Sequence, residues 1–380
     1  MATREANWQH EGHRVEWVFS VKDQTSNKPR FKARLCAKGF SQEKGVDYDE
    51  IFSPTTRYDS IRILLATAVK NNYKMLQFDV RTAFLYGDLH ETIYMDPPEG
   101  ANISDGQVCR LQKSLYGLKQ ASRCWNEKFN QFMFDQRFRR GEADKCVYRK
   151  SCSKSTIILI LYVDDGLVVS SDEASLYSFL DELVKQFEIT VMEPGHFVGM
   201  EILDETDEGN NRRILIHQSS YIRRMIEKFH MQDATPVGTP ADPHVRLKKP
   251  DYDDHSEDSY PYREAVTLST TEAEYVAASE ATKEVTWIRQ FLDDIGEPVQ
   301  EPTNLKMDNQ GALCLVKNPV FHKRTKHVDI KYHYTREKLE EGTISVSFVP
   351  SDLELADVFT KPTPRDHFHK LIFNLGMRKC

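Results

Sequence analysis

Two apolar runs flanking a pair of adjacent acids constrain this chain more than any other stretch. From Ser155 to Ser171 the sequence reads STIILILYVDDGLVVSS. The β-branched residues on both sides suit strands, and Asp165-Gly166 between them suits the centre of a type I′ turn, whose residues need positive φ. This spells a β-hairpin with Asp164 and Asp165 at its tip. On its own, an Asp-Asp-Gly triplet is most often only a turn. Chemistry at such a tip needs a further acid delivered from elsewhere in the chain.

Asp79 is that acid. Met75 to Val80, MLQFDV, reads as a short buried strand ending in a carboxylate. Desolvating a carboxylate is costly unless a cation or metal meets it. Asp79, Asp164 and Asp165, carried on two neighbouring strands, would form a hard, oxygen-rich site of the kind Mg²⁺ prefers, with Mn²⁺ as the alternative ion.

Tyr162-Val163-Asp164-Asp165 resembles the catalytic hairpin of reverse transcriptases. FDVRTAFLYGDLHETIYMDPPEG, which contains Asp79, is similar to the copia class of long-terminal-repeat retrotransposon polyproteins. WVFSVK (17–22), FKARLCAKGFSQ (31–42), DYDEIFSPTTRYDSIRILLA (47–66), LQKSLYGLKQASRCWNEKF (111–129) and ADVFTKP (356–362) occur in that family's order. The resemblance implies an α+β fold: reverse-transcriptase fingers and palm with a four-stranded type of antiparallel palm sheet, followed by an incomplete ribonuclease H-like α/β domain. It implies RNA-directed DNA polymerase activity, with a primed RNA or DNA template and deoxynucleoside triphosphates as partners. A homodimer, or other Pol-derived chains, would be the protein partners. The family's setting is cytoplasmic, in virus-like particles, and nuclear.

Residues 14–21 and 30–37 alternate in strand fashion around a turn-rich loop and read as a hairpin. In the family this hairpin forms the fingers, whose basic side chains close on the triphosphate. Lys32, Arg34 and Lys38 are the candidates, Arg34 first. Phe84 matches an aromatic beside the nucleotide sugar, where a ring excludes a 2′-hydroxyl, and Gln120 matches a glutamine that holds the nucleotide. Lys119 and Arg123 would meet phosphate or solvent. Residues 60–71, opened by a serine, have the spacing of a helix packed beneath the Asp79 strand, and further helices are expected at 122–138 and 172–187. His196 to Ile202 resembles the primer grip. The basic helix from Tyr221 to Phe229 resembles the start of the thumb, with Arg223, Arg224 and Lys228 facing phosphate.

The pattern then breaks. Residues 1–235 would hold fingers, palm and the start of the thumb, 236–266 an acidic, proline-rich linker, and 267–380 a partial ribonuclease H-like domain. PYREAV runs directly into TLSTTEAEYVAAS, motifs that resemble opposite ends of a much longer stretch in the family, so a large internal piece is expected to be absent at 266/267. Ser269 to Glu272 is a capping box opening a helix to about Gly296. Glu274, Asp308 and Asp357 match three ribonuclease H acids. The family's first acid sits on a strand this sequence lacks, so the remnant should not cleave RNA unless another chain completes it. His322, His327 and His333 read as surface or nucleic-acid-facing residues rather than metal ligands.

A net charge of −7 runs against the basic excess usual in nucleic-acid binders, although a local basic groove can coexist with it. The seven cysteines, odd in number and never spaced CxxC, argue against a disulfide framework or a zinc knuckle. The longest apolar run, Ile157 to Val163, is too short to cross a bilayer, and the charged amino terminus lacks a signal core. The rival reading is a truncated product that binds nucleic acid without catalysis.

Overall fold

Nearly unbroken apolar sequence builds the centre of the fold. In this computed structural model, which describes residues 2–5, 12–22, 29–104, 106–153, 155–207, 209, 211–242, 269–317 and 329–378, the chain divides into two units, 1–224 and 225–380. The 266/267 junction, most of the linker, His322 and His327 lie outside the described residues, as does the side chain of His333.

The first unit begins with β1 (Ala2–Glu5), the hairpin β2 (Val15–Lys22) and β3 (Arg30–Ala37), then α1 (Tyr58–Lys70) and β4 (Lys74–Val80). β5 (Tyr94–Met95) and β6 (Gln107–Arg110) join β1 in a small sheet. After α2 (Ala121–Asp135) come β7 (Arg139–Arg140), β8 (Val147–Ser151), β9 (Thr156–Tyr162) and β10 (Asp165–Ser170). α3 (Glu173–Gln186), β11 (Ile189–Met192), β12 (His196–Phe197), β13 (Met200–Thr206) and β14 (Arg212–His217) follow, and α4 (Ser219–Lys228) contains the division between the units.

The main sheet has six strands in the order β11-β4-β10-β9-β8-β7, every pair antiparallel. It is wider than the expected four because β11 and the two-residue β7 extend its edges. Alternation decides what each face meets. Phe78 and Leu76 of β4 and Val168 of β10 share the face that packs on Trp125, Phe129 and Phe132 of α2 and Leu176, Phe179 and Leu183 of α3. Each such fully buried large side chain contributes roughly 1.5–3 kcal/mol. Asp79 and Asp165 sit directly opposite one another in register, one residue out of phase with Phe78, and so belong to the other face.

α1 starts at Tyr58, two residues before the expected serine, and Ser60 does not cap it. Its amino end is instead met by Asp144, a buried carboxylate from the loop before β8. Asp144 accepts from the Ser60 hydroxyl (2.5 Å), the Thr56 hydroxyl (2.7 Å), the Arg57 N–H (3.1 Å) and the Cys146 N–H (2.9 Å). A carboxylate there satisfies free helix donors and the positive end of the helix dipole. α1 packs against β14, whose Arg212 donates to the carbonyls of Ala68 and Tyr73. α3 follows expectation: Asp172 caps it by accepting from the Ser175 N–H at 2.8 Å.

The β2–β3 hairpin is fastened to the segment before α2. The Ala37 N–H donates to the Tyr116 carbonyl at 2.7 Å, and Gly117, at φ +89°, passes so close that an added Cβ would lie 2.0 Å from the Ala37 carbonyl oxygen. Only glycine fits that crossing.

The second unit contains α5 (Thr270–Ile295), β15 (Thr303–Met307), α6 (Gln310–Lys317), α7 (Asp329–Glu340), β16 (Ile344–Phe348), α8 (Asp357–Thr360) and α9 (Arg365–Asn374). The capping box reads as expected, with Ser269 accepting from the Glu272 N–H at 3.2 Å and Gly296 ending the helix at φ +87°. β15 and β16 are parallel, and among the described residues β15 pairs with β16 alone.

Candidate functional site

The hairpin between β9 and β10 turns two residues earlier than its Asp-Gly suggests. Tyr162 and Asp165 are the paired ends, and Val163 and Asp164 are the two turn residues. Only Val163 takes positive φ, +57°, which is the pattern of a type II′ rather than a type I′ turn. A left-handed backbone at a β-branched residue costs roughly 1–2 kcal/mol. Gly166 is therefore not a turn residue. It lies inside β10, where an added Cβ would meet the Phe78 ring at 2.1 Å, so its missing side chain makes room for the core aromatic of β4.

The turn is pinned from two sides. The Val80 N–H at the end of β4 donates to the Asp164 carbonyl at 2.8 Å, and the Trp125 indole N–H donates to the Val163 carbonyl at 2.5 Å. Asp165 faces Asp79 across the sheet, and Asp164 lies near enough to Asp79 for their charges to interact. Burial is the larger cause pushing the Asp164 carboxyl above the usual aspartate range, and the charge of Asp79 adds to it. Lys32 and Arg34 pull in the opposite direction. Asp79, Asp164, Lys32 and Arg34 thus form one electrostatic cluster.

Tyr116, which the sequence reading missed, joins this cluster. Its ring lies beneath the Arg34 guanidinium, 5.8 Å from the centroid, and meets Phe84 edge to face at 5.1 Å. Burial raises its phenol pKa, Arg34 lowers it, and both Asp164 and Asp79 act on it. Phe84 is half-buried and packs on two apolar clusters of the unit. Sequence offered one signal for Tyr116, its place in the LYGLKQ motif.

Several expected contacts fall elsewhere. Gln120 is 1% exposed, donating to the Asp47 carbonyl (2.9 Å) and accepting from Gln42 (3.0 Å), so its amide is spent on the 39–48 loop and not presented to a nucleotide. Lys119 reaches the Gln42 carbonyl at 2.8 Å and lies over the Tyr48 ring, Arg123 pairs with Glu127 on its own helix, and Lys38 pairs with Glu16 across the hairpin. Arg223, Arg224 and Lys228 are exposed on α4. His196 to Ile202 forms a tight hairpin whose His196 carbonyl accepts from Gln77.

Among the described residues, no group of three or more His, Cys, Asp or Glu side chains is gathered as a ready-made metal cage. The first unit offers a pair, Asp79 and Asp164, with Asp165 beside it. Mg²⁺ usually keeps several waters and takes one or two carboxylates plus substrate phosphates, so the pair fits that ion. A carboxyl whose ionisation is opposed by burial and by a second acid is one a divalent cation would relieve.

The second unit holds another acidic cluster. Burial, then Asp308 and Glu354, push the Glu274 carboxyl up, against Lys361, which pulls it down. Lys361 lies 2.7 Å from Asp357 and 4.0 Å from Asp308, and the Ser351 hydroxyl donates to Asp308 at 2.9 Å. Glu274, Asp308 and Asp357 are thus brought together around a lysine. Glu354, absent from the sequence reading, is the added member.

The family model described as reverse transcriptase (RNA-dependent DNA polymerase) matches residues 7–243. The chain belongs to the reverse transcriptase family. A retrovirus-related Pol polyprotein from transposon TNT 1-94 of Nicotiana tabacum is 33% identical over 96% of this chain and 35% of that protein. The Pol polyprotein from transposon RE1 of Arabidopsis thaliana is 28% identical over 96% of this chain and 31% of that protein. A Ty1-GR1 Gag-Pol polyprotein of Saccharomyces cerevisiae matches at 29% over 53% of this chain. The copia-type resemblance drawn from the motifs is borne out. This reverse transcriptase chain spans about a third of the length of the tobacco relative, and the alignment runs over 474 positions where the chain has 380 residues, so that relative carries positions with no counterpart here. No described helix is long and apolar enough to cross a membrane.

Proposed function

We propose that this chain is an RNA-directed DNA polymerase of copia type, extending a primer on an RNA or DNA template by nucleotidyl transfer. The observation that carries the reading is the register that sets Asp79 opposite Asp165, with Asp164 charge-coupled to Asp79 at the tip of a pinned turn. Magnesium, when bound, would lower the pKa of the primer 3′-hydroxyl and brace the triphosphate and its leaving pyrophosphate. Asp79 and Asp164 would hold the cations, and Asp165 would act on the nucleophile side or tune the site. Arg34 and Lys32, two residues apart on β3, neutralise triphosphate oxygens as negative charge moves onto the leaving group. Phe84, held edge-on by Tyr116, places a ring where a 2′-hydroxyl would clash.

In the second unit, Glu274, Asp308 and Asp357 represent ribonuclease H acids, and the strand carrying the family's first acid is missing. The surplus of alignment positions over residues supports an internal loss, which this reading puts at 266/267. Hydrolysis of RNA in a hybrid is not expected.

The test is primer extension on an RNA template with Mg²⁺. Wild-type chain should incorporate deoxynucleotides, and Asp164→Asn should lower the rate at least about 100-fold, as loss of a metal-holding charge does. Salt-dependent binding of primer and template without incorporation would instead favour a non-catalytic nucleic-acid-binding relic.

A further inference from the structure

Both turn residues that precede Asp165 have their carbonyls held. Asp164 is held by a backbone N–H, which no substitution can remove, and Val163 by a side chain, the Trp125 indole. We propose that Trp125 is a positioning residue: its indole N–H fixes the Val163 carbonyl and keeps the turn that carries Asp164 in its left-handed form. For its catalytic consequence the proposal rests on the polymerase reading. Its geometry does not depend on that reading.

Three features support it. Val163 occupies a backbone region that its branched side chain disfavours, so something must hold it there. Packing does not do so on the helix side, where a cavity of about 220 Å³ opens between Val163, Leu161, Trp125, Pro54 and Cys146. Trp125 itself cannot swing away. It is 1% exposed and wedged against Phe187 (5.2 Å), Phe129 (5.5 Å) and Tyr86 (6.1 Å) between ring centroids. A rigid donor thus meets a strained acceptor beside a void, and the hydrogen bond is the tie between α2 and the turn.

Trp125→Phe removes the donor and keeps an aromatic ring. Phe129→Leu thins the same core and leaves the donor, so it controls for general loosening. Amide hydrogen exchange across residues 162–165 should quicken on the order of tenfold in Trp125→Phe relative to Phe129→Leu. Equal exchange in the two variants would overturn the proposal, whether or not the chain polymerises. In primer extension, Trp125→Phe should lower kcat on the order of tenfold or more with KM for the nucleotide nearly unchanged, because Asp164 is displaced after binding. Val163→Gly accepts the left-handed form without strain, so in that background Trp125→Phe should lose much less. Fully additive losses would count against the tie. Absence of synthesis by the wild-type chain would sink the polymerase reading alone, and exchange would then decide the tie.

Discussion

Asp164 is the residue on which the electrostatics of the first unit converge. Its carboxyl titrates above the ordinary aspartate range, because of burial first and of Asp79 second. Protonation is therefore favoured in the folded chain, and as pH rises through the window between the unfolded and the raised folded value, ionisation costs stability. Cation binding needs the ionised form, so affinity for Mg²⁺ should fall as pH drops through that raised value. Asp79→Asn removes one of the two causes, and carboxyl titration of Asp164 by NMR should then shift towards the ordinary range. A titration that stays put would mean that burial alone sets it. At this scale the sequence was a good guide to which acids meet and a poor one to which neighbours surround them. Asp79 was legible because a carboxylate ending an apolar strand is conspicuous, whereas Gln120 went astray because a motif records residue type and not the direction a side chain takes. Its amide faces Gln42 and Asp47, residues some seventy positions earlier.

The elements show the same division between local and distant causes. α3 and α5 were readable because their caps, Asp172 and Ser269, act within three residues. α1 was misplaced because its cap, Asp144, arrives from the far side of α2. Asp144→Ala leaves four donors without their acceptor and should destabilise the first unit by about 3 kcal/mol or more, measured by denaturant unfolding. The β9–β10 turn was misplaced by two residues because Asp-Gly is so strong a turn signal that it hid a second reason for a glycine, the Phe78 ring across the strand pair. Gly166→Ala should cost about 1–3 kcal/mol through overpacking, with the loss visible in thermal melting before any assay is run.

The whole molecule is two units with unequal claims to activity. The first contains the match to the reverse transcriptase family almost entirely, and the second contains acids that close around Lys361 rather than around a preformed cage. Calorimetry should resolve two unfolding transitions, and Asp144→Ala should lower only the one belonging to the first unit. A single shared transition, moved as a whole by that substitution, would show that the units fold as one. The order of motifs made two units expected, whereas the proposed loss at 266/267 has no local signature beyond two abutting stretches of sequence. Gly166 carries a lesson for any scan of all single substitutions. Neighbouring codons would yield two distinguishable kinds of inert product: soluble, well-folded chains when Asp164 is replaced, and poorly recovered ones when Gly166 gains a side chain. Recovery from the cell, plotted beside incorporation, would separate the position proposed to do chemistry from the one that only leaves room for it.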